Sequence, residues 1–223
     1  MNRPDSTQLS QFVHYVRQRF DIHILAGSFT DSRPQPEIPS RALWLSMMLG
    51  EVAQVPSHLQ LEAETRLPEW QRWVGYEDRI SHDTFGYVSG RFDPAQLRQG
   101  ARWINHKLKR GKAFESAKSH GLLVVSLDAN EQFCSEHRCC EACLRRQVTR
   151  KNAAGQEVKI TQYYHKQVYA QLSGPTFSSI LDFEPMRQGE EECATALRLL
   201  RRIREQYGPR FFDLIVVDAW YTN

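Results

Sequence analysis

This sequence of 223 residues lacks any long apolar run. No stretch approaches the roughly 20 apolar residues that a membrane-spanning helix requires. The polar beginning, MNRPDSTQLSQ, also lacks the hydrophobic region of a signal peptide. We therefore expect a cytoplasmic protein that has no membrane partner.

Motifs of several common enzyme classes are also missing. The sequence has no glycine-rich phosphate loop, no dinucleotide-binding fingerprint and no nucleophile elbow, and it has no internal repeat. These absences argue against nucleotide-dependent and serine-hydrolase chemistry. The 41% hydrophobic and 11% aromatic content nevertheless predicts a folded, globular chain with a sizeable core.

Positive charge is concentrated in one segment. The formal net charge is +3, yet Arg91–Lys118 contains eight basic and two acidic residues. Asp93-Pro94 is typical of a helix start, and we predict one helix from there to about Ser116. Four of its basic residues lie largely along one side: Arg98, Arg102, Lys109 and Lys112. This side is a candidate for contacts with DNA phosphates, and the alternative is a solvated helix surface, the commoner fate of charge runs.

The rest of the N-terminal part is also predicted to be helical. Ser6 or Thr7 would cap a helix that continues through Ile24. Pro39 and Pro56 each open a further helix, and Ser81 caps another. We expect these helices to pack as a small bundle.

Two short apolar runs that end in aspartate organise the C-terminal part. Leu122–Asp128 reads LLVVSLD and Phe211–Asp218 reads FFDLIVVD, as expected of buried strands. A right-handed helical crossover would place the two strands side by side and parallel. Asp128 and Asp218 would then meet at one edge of the sheet as a divalent-metal site. The alternative is that each aspartate merely ends a strand.

Between these runs the pattern predicts further strands and one helix. A hairpin turn at Asn152–Gly155 is expected between two short strands. Tyr163–Leu172 and Ser178–Glu184 are predicted core strands, and the segment that begins EEECATALRLLRRI after Gly189 is a predicted helix. The expected order is therefore strand, strand, strand, helix, strand around the core.

Four segments in this order carry a resemblance to a known family: SLDANEQFCS, YYHKQVYAQL, EPMRQGEEECATALRLLRRI and FFDLIVVDAWYTN. They resemble the catalytic half of DDE transposases from bacterial insertion sequences, whose core is an RNase H-like fold. SHDTFGYVSGRFDPAQLR and the basic helix resemble the helical N-terminal part of these proteins. The resemblance implies an α/β fold class: an incomplete RNase H-like mixed sheet in residues 121–223, after a helical DNA-binding domain in residues 1–120.

The same resemblance implies a chemistry. Asp128 and Asp218 would be catalytic carboxylates that bind Mg²⁺ or Mn²⁺, with Tyr221 in the family's D-x-x-Y position. The expected partners are double-stranded DNA, namely the insertion-sequence ends, and a second copy of the chain in the DNA complex.

The family pattern also requires a third acid, a glutamate on a later helix, and the chain stops five residues after Asp218. Neither Glu131 nor Glu184 occupies the family position. We therefore expect a truncated, partial or inactive transposase. The alternative function is a non-catalytic DNA-binding remnant or regulator.

Four of the five cysteines lie close together in the sequence. Cys134, His137, Cys143 and either Cys139 or Cys140 (Cys140 in the preferred set) are the ligand types of a tetrahedral zinc site. Their spacing is compressed, because zinc sites usually join two ligand pairs across a longer loop. The alternative is a group of reduced cysteines packed at the base of a hairpin, and His165 is interpreted as an ordinary strand residue.

Overall fold

The structure, a computed structural model, describes residues 4–153, 155–218 and 221. The chain divides into two compact units, with the division between Lys107 and Leu108. Among the described residues, no helix has the length and apolar character needed to cross a membrane.

Helices form the first unit. They are α1 (Ser6–Phe20), α2 (Ile22–Gly27), α3 (Ser40–Val52), α4 (His58–Glu64), α5 (Pro68–Val74), α6 (His82–Ser89) and α7 (Pro94–Arg110), of which the last reaches into the second unit. Ser81 caps α6 and Pro94 opens α7, as predicted.

The predicted first helix is in fact two helices. Its N-cap is Asp5 rather than Ser6 or Thr7, and a capping box joins Asp5 to Gln8. Asp21 adopts the left-handed conformation, with φ of 50° and ψ of 42°, and so ends α1 before α2 begins. A left-handed residue cannot continue a right-handed helix, so the prediction of one helix through Ile24 was wrong.

The basic helix is shorter than predicted. It ends at Arg110, and Lys112 has a φ of 60° before a short 3₁₀ helix (Ala113–Ala117). The predicted helix to Ser116 was therefore wrong. Gly111, a residue type common just after helix ends, was the signal for this boundary.

A mixed five-stranded sheet forms the second unit. Its strands are β1 (Val124–Ser135), β2 (Leu144–Lys151), β3 (Glu157–Ser173), β4 (Ser178–Pro185) and β5 (Leu214–Val216), with α8 (Glu192–Tyr207) between the last two. The path through the sheet is β2-β3-β1-β5, and β4 also pairs with β3. The β1–β3, β2–β3 and β3–β4 pairs are antiparallel, whereas β5 is parallel to β1.

The second strand of the predicted hairpin and the predicted core strand Tyr163–Leu172 form one continuous strand, β3. Its N-terminal half pairs with β2 and its C-terminal half with β4, so one continuous strand supports both neighbours. The hairpin predicted between β2 and β3 is present. Its predicted turn, Asn152–Gly155, includes Ala154, which lies outside the described residues.

The core of the second unit lies between the sheet and α8. Alternate residues of β1, Val125 and Leu127, are buried against Leu199 and Ile203 of α8. The segment before β1 joins this core, since Phe114 and Ala117 are buried in it. Residue 174 has to be glycine here, because a Cβ would lie 2.3 Å from the backbone oxygen of Ala117.

Candidate functional site

The parallel pairing of β1 with β5 aligns the two predicted aspartates. Ser126 pairs with Val216, and continuing this register by two residues sets Asp128 opposite Asp218. Registered residues of neighbouring parallel strands point to the same side of a sheet. The prediction that these two strands lie side by side and parallel is confirmed. The side chains of Asp128 and Asp218 are both exposed.

Asp213 holds β5 in this register. Its carboxylate accepts a 2.8 Å hydrogen bond from the Leu123 amide, and its own amide donates to the Leu123 carbonyl at 2.9 Å. This two-way bond fixes the start of the pairing, so a slip of one residue would break it.

Asp128 does not end its strand, contrary to prediction. β1 continues to Ser135 because the long β3 provides partners as far as Tyr163, with one register shift between Glu131 and Phe133. The first aspartate therefore lies in the middle of a hydrogen-bonded strand, whereas Asp218 lies just beyond the end of β5.

The two aspartates open into a cavity of about 640 Å³. It is lined by Asp128, Ala129, Lys166, Met186, Glu191, Glu192, Cys193 and Asp218. Four acids and one lysine give it a strongly negative lining, which would attract a cation. The start of α8 supplies Glu191 and Glu192, which the sequence reasoning did not assign to this site.

Lys166 and Tyr221 engage one of these acids. The Lys166 ammonium lies 2.6 Å from Glu192 Oε2. Burial alone would raise the pKa of Glu192, but Lys166 and then Tyr221 outweigh it and keep that pKa below its usual value. Glu192 is thus a neutralised acid at the wall of the cavity.

Tyr221 is the least satisfied group in the site. Its hydroxyl is buried and has no hydrogen bond of standard geometry. Burial raises the pKa of Tyr221, and Glu192, Asp218 and Asp128 raise it further. The hydroxyl therefore acts on Glu192 rather than on the cavity, which Tyr221 does not line.

Glu131 and Glu184, the two acids named above in connection with the missing third acid, have other partners. Glu184 is buried and paired with Arg198 and Arg202 on α8. Glu131 forms a two-point ion pair with Arg146, at 2.8 and 3.1 Å. Neither lines the cavity.

The donor set fits one hard cation. Mg²⁺ accepts a site of one or two carboxylates because it retains water ligands, so Asp128 and Asp218 fit one such ion. Across the described ranges, no three carboxylates have oxygens that all lie within 4.8 Å of one another. A second ion therefore lacks a three-carboxylate site in this part of the chain, although Glu191 lines the same cavity.

The four predicted DNA-binding residues have different surroundings. Arg102 is exposed on α7 and Arg98 is half-buried, whereas Lys112 lies beyond the end of the helix. The Lys109 ammonium donates to the carbonyls of Arg210 and Phe211 at 3.1 and 2.8 Å, and burial lowers its pKa. The expectation that all four lie along one helix side was wrong, because α7 ends at Arg110.

The cysteine-rich segment also differs from its predicted ligand set. Cys140 and Cys143 lie together with His165 of β3, which the sequence had led us to interpret as an ordinary strand residue. Cys134 instead contacts the Arg146 guanidinium at 3.7 Å, and His137 is exposed. In the described part of the chain, neither of these two joins the group around His165.

Comparisons of this chain with family models, curated proteins and solved structures found no match.

Proposed function

We propose that this chain is a transposase-like protein of the DDE type that acts on double-stranded DNA. The observation that carries the proposal is the alignment of Asp128 with Asp218 across two neighbouring parallel strands. In the sequence these residues are far apart, and each follows an apolar strand. Such a convergence is what a metal-dependent phosphodiester site requires.

The sheet gives further support to an RNase H-like identity. Leaving aside β2, the order is three antiparallel strands, one helix and a strand parallel to the first. The resemblance of the sequence to DDE transposases implies this order. The acidic lining of the cavity agrees with it, because a cation would bring DNA phosphate to an otherwise repulsive surface.

Asp128 and Asp218 would hold the magnesium ion. When bound, that ion supplies a Lewis acid that polarises a scissile phosphate. The two carboxylates would keep it at the cavity, and Tyr221 would act on Glu192 in the cavity wall. Among the described residues, no third acid completes a three-carboxylate group with the two aspartates, so we expect these residues by themselves to cleave DNA slowly.

A second candidate function is DNA binding without catalysis. It is favoured by the same missing third acid and by the ion pair that neutralises Glu192. In this case the exposed Arg102 and the helical first unit would bind DNA, and the sheet would serve as a scaffold.

A nicking assay separates the two candidates. Purified protein is incubated with supercoiled plasmid and with duplex fragments in Mg²⁺ or Mn²⁺, and nicked product is counted over hours. We expect slow, metal-dependent nicking that is lost in Asp128→Asn and in Asp218→Asn. Glu205→Gln, which changes an exposed acid on α8, is the matched control and should nick like the unchanged protein.

Each outcome has a clear meaning. Nicking that survives both aspartate substitutions comes from a contaminant or another site and contradicts the proposal. DNA binding with no nicking at all favours the non-catalytic candidate. Fast nicking that depends on Asp128 would contradict the expected effect of the missing acid. A site without the second metal ion should react more slowly by several factors of ten, each of which corresponds to about 1.4 kcal/mol of lost transition-state stabilisation.

A further inference from the structure

Two cysteines and one histidine converge at the base of the β2–β3 hairpin. The Cys140 and Cys143 sulfur atoms are 3.7 Å apart. His165 Nε2 lies 3.4 Å from the Cys140 sulfur and 3.3 Å from the Cys143 sulfur. Two soft sulfur donors and one imidazole thus face a common point.

These separations match those of ligands around a tetrahedral ion. With zinc bonds of about 2.3 Å to sulfur and 2.0–2.1 Å to nitrogen, tetrahedral angles place two sulfurs about 3.8 Å apart and a sulfur and a nitrogen about 3.6 Å apart. The three observed distances lie within about 0.3 Å of these values. A disulfide would need sulfurs about 2.05 Å apart, so both cysteines are free thiols in this arrangement.

The fold brings the three residues together through strand pairing. Leu144 pairs with Tyr164, so the antiparallel register leads from Cys143 directly to His165. A tight turn returns Cys140 to the same point, since the Cys143 amide donates to the Cys140 carbonyl at 3.1 Å. The Cys140 amide in turn donates to the Cys143 sulfur at 3.2 Å.

We propose that Cys140, Cys143 and His165 bind a zinc ion. Thiolate and imidazole ligands suit zinc, whereas the oxygen ligands of the aspartate pair suit magnesium, so the two sites select different metals. Solvent occupies the fourth position. Binding replaces the two thiol protons, which are released to solvent, and involves no oxidation.

The zinc ion would have a structural role. The segment between β1 and β2 contains Cys140 and Cys143 but no regular secondary structure. A metal bond from this segment to His165 would tie it to β3, the strand that supports the rest of the sheet. The site is independent of the proposed DNA chemistry, because none of its ligands lines the cavity with the aspartates.

The test is the zinc content of the purified full chain, prepared without chelator and measured by elemental analysis. We expect about one zinc ion per chain, and replacement by Co²⁺ should give the visible absorption of a tetrahedral thiolate site. Cys140→Ser and His165→Ala should each lower zinc affinity by at least about tenfold, since loss of even an outer partner costs that much. Cys140 is exposed, so its substitution is suited to keep the fold.

Cys134→Ser, Cys139→Ser and His137→Ala are the matched controls and should retain zinc. Circular dichroism checks that each variant is folded, and His165→Cys should restore binding by replacing one zinc ligand with another. Loss of zinc in Cys134→Ser or His137→Ala would overturn this ligand set in favour of the one expected from sequence spacing. Loss of zinc in Cys139→Ser would overturn the assignment of solvent to the fourth position.

Two further results would overturn the proposal. One is an absence of stoichiometric zinc in the folded, reduced chain even after incubation with excess Zn²⁺. The other is a disulfide between Cys140 and Cys143, found by mass spectrometry after alkylation of free thiols in protein purified under reducing conditions.

Discussion

Two pairs of acids lie on the same sheet in opposite surroundings. Asp182 and Glu184 of β4 are buried, and Arg198 and Arg202 of α8 bind them. Asp128 and Asp218 are exposed and open into a cavity. Burial and arginine partners thus mark the first pair as part of the fold, whereas exposure at a cavity leaves the second pair accessible to a ligand.

The buried pair is the structural one. Arg202 donates to Asp182 Oδ2 at 2.7 Å and to the Phe183 carbonyl at 2.9 Å, and it also contacts Glu184. Burial works against the charge of Glu184, yet Arg198 and Arg202 together keep its pKa below the usual value. These carboxylates are already paired with arginines, which would compete with a metal ion.

The largest effect is therefore expected from breaking the buried pair. Arg202→Met leaves Asp182 buried without its main partner and should lower the free energy of unfolding by about 3 kcal/mol. Urea unfolding followed by fluorescence measures this loss. Arg201→Met changes the exposed neighbouring arginine and should stay within about 0.5 kcal/mol of the unchanged protein. If the two variants were equally stable, the structural role of the buried acids would be refuted.

The pH dependence of stability tests the role of the arginine-paired acids in a second way. Hydrogen bonds from Arg198 lower the pKa of Glu190 to about 2, against about 4.3 for a free glutamate. Its folded-state pKa is depressed, so its contribution to stability is present above pH ~4.3 and is lost as the pH falls toward 2. Glu190→Gln should flatten the decline of stability in this window.

Unfolding midpoints between pH 2.5 and 6 measure this change. Glu205→Gln, an exposed acid on the same helix as Arg198, should keep the slope of the unchanged protein. An identical slope in Glu190→Gln would show that its ion pair with Arg198 contributes nothing to folding.

The cations show the same distinction, with a smaller expected effect. Lys109 is engaged with backbone carbonyls and with the face of Phe211, whereas Arg102 is exposed on α7. If Arg102 contacts one DNA phosphate, Arg102→Ala should weaken duplex binding and reduce the salt slope by about 0.9. Fluorescence anisotropy at several salt concentrations tests this.

Arg19→Ala is the matched control, because Arg19 is an exposed arginine of another helix in the same unit. Equal losses of affinity in both variants would indicate general charge attraction and would remove α7 from the proposed DNA surface.

Local patterns were sufficient to predict much of the second unit. Apolar runs, the amphipathic helix and the handedness of the crossover together predict that β5 lies parallel to β1, with Asp128 near Asp218. The end of α7 at Arg110 was also readable from Gly111, although the charge run suggested a longer helix.

The side-chain partners could not be predicted in the same way. His165 meets Cys143 only because Leu144 pairs with Tyr164, and a shift of one residue in that pairing would turn the histidine to the other face. Lys109 finds its acceptors in Arg210 and Phe211, which are about a hundred residues later. Such contacts depend on long-range register, which periodicity does not encode.

Titration with a divalent metal shows directly whether Asp128 and Asp218 form a metal site. Free Mn²⁺ is followed by electron paramagnetic resonance during titration with zinc-loaded protein, which keeps the cysteine site filled. We expect one weak Mn²⁺ site that Mg²⁺ displaces, and this site should be lost in both Asp128→Asn and Asp218→Asn and kept in Glu205→Gln. Mn²⁺ binding that is unchanged in both aspartate variants, or absent from the unchanged protein at millimolar Mn²⁺, would contradict this expectation.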